Sequence, residues 1–170
     1  MLLEKEGVGM REILFRGQTR RYGEKVNMTG NKLPSKWVYG GIFPQNNGGD
    51  FAIIYQQEPS IEKFTVYADT VGQYTGVKDK NGVKVFEGDI IRVRFEPYGR
   101  YVYDFEESIE WYEDFAVYFD DHSHEWRARR FGYNESLWEY DKDCEVVGNI
   151  YDNLELINPY VEYECKFGTM

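Results

Sequence analysis

The chain has 170 residues, a formal net charge of -10 and aromatic side chains at 18% of its positions. A chain of this size buries on the order of 70% of its unfolded surface, which is enough for a core without disulfide or metal staples. No run approaches the roughly 18 apolar residues of a membrane span, and a net negative charge disfavours generic binding to nucleic acid, whose affinity rests on cations displacing counterions from phosphates.

In chain order, Lys5-Glu6-Gly7 comes first, a tripeptide encodable by a purine-rich ribosome-binding sequence at the usual distance before Met10. Met10 is therefore expected as the natural start, with residues 1–9 as a leader upstream of it. Strand-like runs then recur at short intervals: Ile13 to Arg16, Lys36 to Phe43, Phe51 to Tyr55, Lys63 to Tyr67, Val83 to Phe86, Asp89 to Phe95, Ser108 to Trp111, Phe115 to Phe119, Trp126 to Phe131 and Glu145 to Ile150. Regular short strands predict a mainly β chain. Helical periodicity shows only over Asn134 to Tyr140 and Asn153 to Ile157, where Asn153 is placed to cap a turn whose Leu154, Leu156 and Ile157 form an apolar lid.

The segment Thr75 to Val93 carries the clearest turn chemistry. Asn81-Gly82 suits a tight hairpin, and Asp79 suits a type I turn that closes at Gly82. Glu87-Gly88-Asp89 reverses or bulges the chain before Ile90, Ile91, Val93 and Phe95, with Arg92 and Arg94 facing the other way. Near the end, Gly148-Asn149 is a further turn signal. Gly76, Asp79, Gly82, Gly88, Asp89, Gly148 and Asn149 are read as architectural, because glycine permits positive φ and short polar side chains bond nearby amides.

This run of Thr-Gly, Asp-x-Asn-Gly and Glu-Gly-Asp-Ile resembles the YopX-like family of phage and prophage proteins. Arg11 to Gly17 leading to Trp37-Val38-Tyr39-Gly40, and Cys144 to Tyr151, resemble the same family, so the likeness spans Met10 to Ile157. The family is functionally obscure. What the resemblance implies is a phage or prophage accessory protein; with no apolar span and no basic region followed by an apolar stretch at the amino terminus, it is expected in the cytoplasm of a bacterial host. Two cysteines, Cys144 and Cys165, fit no zinc or redox spacing and are expected to be thiols, in keeping with a reducing compartment.

Two packed β-rich lobes are expected, residues 10–70 and residues 71–157, the second an SH3-like barrel, with residues 158–170 as a tail or edge strand. Val71 and Tyr74 are placed at their junction. Charge divides the chain as well. Between Arg11 and Lys36 seven basic residues face two acidic ones, whereas Asp104 to Glu125 holds nine carboxylates and no Lys or Arg. Such asymmetry favours a basic partner or head-to-tail self-association.

Within the acidic stretch aromatics alternate with carboxylates, and two readings stand. One is a solvated outer face over an aromatic core; the other is a protein-binding surface for which Trp111, Tyr112, Tyr118 and Asp120 are the candidates. Arg16, Arg20, Arg21, Arg127 and Arg129 are the candidates for nucleic-acid contact, although Arg127 and Arg129 also suit cross-strand pairing with Asp120 or Glu113. His122 and His124, in Asp120 to Glu125, read as a polar hairpin tip rather than a metal site, so no metal ligand and no cofactor is assigned. No Gly-x-Ser-x-Gly and no Walker-type loop occurs. The reading is a non-catalytic protein-binding module with a host or phage protein as partner and self-association as an added expectation. A nucleic-acid-associated module is the first alternative, and an enzyme of unknown substrate the second.

Overall fold

The computed structural model describes residues 12–19, 37–43, 49–56, 61–95, 111–130, 133–140 and 143–157. The leader, Arg20, Arg21, the acidic residues 104–110, Cys165 and the tail lie outside the described residues. Eleven strands and three short 3-10 turns make up the described chain, and every strand pairing is antiparallel.

The first sheet holds β1 (Phe15–Gln18), β2 (Trp37–Phe43), β3 (Phe51–Gln56), β4 (Glu62–Tyr67), β5 (Gly72–Lys78) and β6 (Lys84–Phe86), in the order β4-β3-β2-β1-β5-β6. Alternation along β2, β3 and β4 turns Val38, Ala52, Ile54, Phe64 and Val66 to one side, where they form a small core. The second sheet holds β7 (Asp89–Phe95), β8 (Trp111–Asp120), β9 (Glu125–Arg130), β10 (Tyr133–Ser136) and β11 (Cys144–Asn149), in the order β10-β9-β8-β7-β11. Its core is larger: Ile91, Val93, Phe115, Val117, Trp126, Ala128, Leu137 and Cys144 are all buried there.

The β5–β6 hairpin belongs to both units. β5 hydrogen-bonds to β1 in the first sheet, yet Val77 and Val85 are buried in the core of the second. Val71 packs against the first core, and Tyr74 is buried on Phe86, with its amide bonded to the carbonyl of Leu14. The expected division at residues 70 and 71 falls at the start of this hairpin.

Mainly β architecture with little helix matches the reading of the sequence; the SH3-like barrel does not. Among the described residues neither sheet closes. β10 and β11 lie at opposite edges of the second sheet, and the 3-10 turn Leu137–Tyr140 between them buries Leu137 against the sheet instead of bringing the edges together. Three further expectations are corrected. Tyr133 to Ser136 is an edge strand rather than a helix, and Trp111 to Asp120 is one continuous strand. The 3-10 turn Leu154–Leu156 buries none of its residues and receives no cap from the Asn153 side chain, whose Oδ1 accepts from the Asn149 amide at 3.4 Å. No apolar lid forms.

The turns position everything else. Of the two readings at Asp79, the structure adopts the one closing at Gly82, whose amide donates to the Asp79 carbonyl at 2.9 Å. The Asp79 carboxylate accepts from the amides of Asn81 and Val83, and from that of Val146 at 3.0 Å, which fastens this turn to β11. At the next turn Gly88 has φ +78°, and its amide and carbonyl reach Val117 and Ile150.

A Cβ at Gly88 would be strained in this left-handed conformation and would sit 3.3 Å from the Tyr151 ring. Gly88→Val is therefore expected to lower stability by about 2 kcal/mol or more, whereas Gly41→Ala, with open space around the new Cβ, should cost well under that. Thermal melts of the two variants beside the wild type check this, and equal melting temperatures would contradict it.

Candidate functional site

Between the two sheets lies a buried ion pair. Arg16 of β1 reaches Asp89 at the start of β7 through Nη1, and the two side chains are only 7% and 2% exposed. Arg16 Nη2 also donates to the Glu87 carbonyl at 3.1 Å, while Asp89 Oδ2 accepts from the Phe86 amide at 2.7 Å. The guanidinium lies over Trp37 at 4.8 Å and over Phe86 at 5.2 Å from the ring centroids. Burial pushes the Asp89 carboxyl up to about 6, and the Arg16 charge and the Phe86 amide hold it from going higher.

A second clasp lies beside the first. The Asp152 carboxylate accepts from Trp37 Nε1 at 2.9 Å, from Gln18 Nε2 at 3.3 Å and from Asn149 Nδ2 at 3.1 Å. Tyr151 packs on Trp37 and donates its hydroxyl to the Asp69 carbonyl. The Asn149 side chain accepts from the amides of Tyr151 and Asp152, and so shapes the turn that delivers both.

Of the candidate arginines, Arg16 is thus held inside this seam, away from any phosphate, and Arg20 and Arg21 lie outside the described residues. Arg127 and Arg129 share the outer face of β9. Arg127 bonds Glu125 and Asn134, and Arg129 covers the Tyr118 ring at 4.6 Å. The expected pairing with Asp120 or Glu113 is realised by a neighbour: Arg130 pairs with Glu113 at 2.6 Å. Asp120 instead accepts from Ser123 and from the His122 amide, which hold its carboxyl below the usual range and make Asp121 to His124 a polar turn. Among the described residues no group of three or more His, Cys, Asp or Glu is placed to hold a metal ion.

Strand parity separates the four candidate protein-binding residues. Tyr112, Tyr118 and Asp120 project from the outer face of β8, where Arg92 clamps Asp114 with two bonds of 2.8 and 2.9 Å. Trp111 projects from the opposite face, at the strand's end, and stacks on Phe95 at 5.8 Å and 13°. There it joins residues that the sequence did not single out as binding candidates. Phe95, Trp111, Tyr140, Glu113, Glu135 and Glu139 line a cleft of about 520 Å³, with Phe115 at its base and Tyr133 at its rim. Burial raises the Tyr140 hydroxyl above its ordinary value, and Glu135, Glu139 and Glu113 push it the same way.

A family profile described as YopX protein matches residues 31–158. The chain belongs to the YopX family. Among solved structures it is similar to protein EF1440 from Enterococcus faecalis, at 23% identity and a TM-score of 0.41, covering 86% of this chain and 99% of that one. Among curated proteins no match is found.

In this YopX chain the segments whose motifs were read in the sequence converge on the seam. Arg16, Trp37, Tyr39, Gly88, Asp89, Asn149 and Tyr151 come from four separate segments and meet around one buried ion pair. The motifs read in the sequence thus build a joint between sheets, whereas the cleft lies among residues no motif marked. The cleft's signal in the sequence is slight: Tyr133 and Glu135 alternate with polar neighbours, as an edge strand does.

Removing Arg16 leaves a buried carboxylate alone, so Arg16→Met is expected to cost about 3–5 kcal/mol, and adding Asp89→Asn should return a large part of that loss. Denaturant unfolding of the two variants measures it; a double variant no more stable than the single one would contradict the pairing. The Asp89 carboxyl titrates at about 6 in the fold, against roughly 4 when unfolded. The fold therefore binds the extra proton between those values, and the stability this group contributes is present below about pH 4 and lost as pH rises through about 6. The melting temperature of the wild type minus that of Asp89→Asn should accordingly fall from pH 4.5 to pH 7. A gap independent of pH would refute this.

Proposed function

We propose that this chain is a non-catalytic protein-binding module, an accessory protein of phage or prophage origin that acts by engaging a host or phage protein through the acidic, aromatic end of its second sheet. The observation that carries the reading is the cleft beside β8. Trp111 and Tyr133 are 42% and 60% exposed there, beside Phe115, which is buried at the base of the cleft. Exposed aromatics with an apolar floor and a polar rim are the composition of the energetic centre of an interface.

Charge favours a basic partner. Arg92, Arg127 and Arg130 neutralise Asp114, Glu125 and Glu113, but Glu135 and Glu139 have no cation among the described residues. The same balance weakens the nucleic-acid alternative, since Arg16 is buried and Arg127 is occupied by Glu125 and Asn134.

The test compares proteins retained by the immobilised wild-type chain with those retained by Trp111→Ser and Tyr133→Ser, each first shown to melt like the wild type. A partner purified from the wild-type eluate should bind in a defined stoichiometry, and each substitution should weaken it by about tenfold or more. Equal binding by all three proteins overturns the reading. Salt-dependent retention on DNA or RNA with no such protein would replace it by the nucleic-acid alternative.

A further inference from the structure

We propose that the cleft formed by Phe95, Trp111, Tyr140, Glu113, Glu135 and Glu139 is a receptor for the guanidinium of an arginine side chain presented by the partner protein. This deepens the protein-binding reading above and rests on it. The cleft's volume, about 520 Å³, lies within the range of roughly 300–1,000 Å³ in which proteins hold small ligands, so it admits a long side chain with part of its backbone.

The walls favour a flat cation. Trp111 and Phe95 stack nearly parallel, 13° apart, which presents an extended ring surface, and Trp111 remains 42% exposed on it. Tyr140 closes another side, edge-on to Phe95 at 6.4 Å and against Phe115 at 5.6 Å. An indole face is the strongest aromatic partner for a cation, and a planar, weakly hydrated guanidinium stacks on it better than an ammonium does.

The rim supplies the opposite charge. Three carboxylates act on the one Tyr140 hydroxyl, and the nearby Arg130 neutralises only Glu113. A ligand bearing two donors at the end of an apolar stem would satisfy Glu135 and Glu139 while its stem lies on the rings. Other ligand classes fit less well. An anion meets like charge. A neutral apolar group would strip water from two carboxylates and return nothing.

The decisive experiment titrates the full chain by NMR with the peptide acetyl-Gly-Ala-Arg-Ala-Gly-amide, and with the same peptide carrying lysine or the neutral isostere citrulline. The arginine peptide should move the Trp111 indole resonance saturably, with a Kd on the order of 1 mM. Lysine should bind more weakly, and citrulline at least about fivefold more weakly than arginine. Glu135→Gln/Glu139→Gln, with an unchanged melting temperature, should lose at least about threefold in affinity for the arginine peptide. Citrulline binding as well as arginine, or a Trp111 resonance that does not move, overturns the proposal. The two readings fail separately. A purified partner that needs Trp111 but binds Glu135→Gln/Glu139→Gln unchanged sinks the arginine receptor and leaves the protein-binding reading standing. An arginine peptide that titrates normally when no partner depends on Trp111 does the reverse.

Discussion

Two opposite charges buried where the sheets meet set the terms for the rest of this fold. Taking each ion out of water costs several kcal/mol, and the mutual attraction of Arg16 and Asp89 offsets that only if their remaining donors and acceptors are satisfied. The Phe86 amide, the Glu87 carbonyl and the faces of Trp37 and Phe86 supply most of what is needed, although Arg16 Nε finds no acceptor among the described residues. The net contribution to stability is therefore small, but the contribution to specificity is large. Any sliding of one sheet on the other would leave a carboxylate or a guanidinium buried alone. The pair selects one arrangement of the two sheets among those that hydrophobic burial alone would tolerate.

That role explains why the turns around the pair are so fully tied. Asp89 follows Gly88, whose positive φ turns the chain sharply enough for the Phe86 amide to meet the Asp89 carboxylate. The Glu87 amide bonds Gln73 of the first sheet while the Gly88 amide bonds Val117 of the second, so one tight turn is stitched to both. Asp79 does similar work at the far end of the β5–β6 hairpin, with one carboxylate oxygen serving its own turn and the other reaching β11. Glycine and aspartate recur at these points because short acceptors and left-handed backbone are what such turns require.

How much of this was legible in the sequence depends on range. Local chemistry was readable: the Asp79 to Gly82 turn, the alternation along β2, β4 and β7, and the low helix content all follow from neighbouring residues. β5 was hidden by Gly72 and Gly76, which dilute its β-branched Thr75 and Val77, and β10 by Tyr-Asn-Glu-Ser, a sequence without strand preference. Pairing with β9, from Tyr133 opposite Arg130 to Ser136 opposite Arg127, imposes its conformation. The acidic stretch was recognised as such, but its partners were not, because Arg92 and Arg130 reach it from flanking strands. The Arg16 to Asp89 contact joins two motifs that were each visible, and only the fold reveals that they touch. The same holds for the cleft, whose lining residues come from β7, β8, β10 and the Leu137–Tyr140 turn.

The seam and the cleft divide the demands on the chain. A recognition surface gains most when its aromatic groups are already in place, since each rotamer fixed on binding subtracts from affinity. Phe115, 1% exposed, is part of the second core and also the support on which Phe95 and Tyr140 rest, at 6.1 and 5.6 Å between ring centroids. Trp111 stacks in turn on Phe95. The platform is therefore continuous with the hydrophobic core, and Glu135 and Glu139, which have no cation among the described residues, stand on an edge strand and a 3-10 turn. The charged groups of the joint lie inside, where ion pairing fixes the architecture at Arg16 and Asp89, while Glu135 and Glu139 of the cleft lie exposed at the margin, where the proposed guanidinium would meet them.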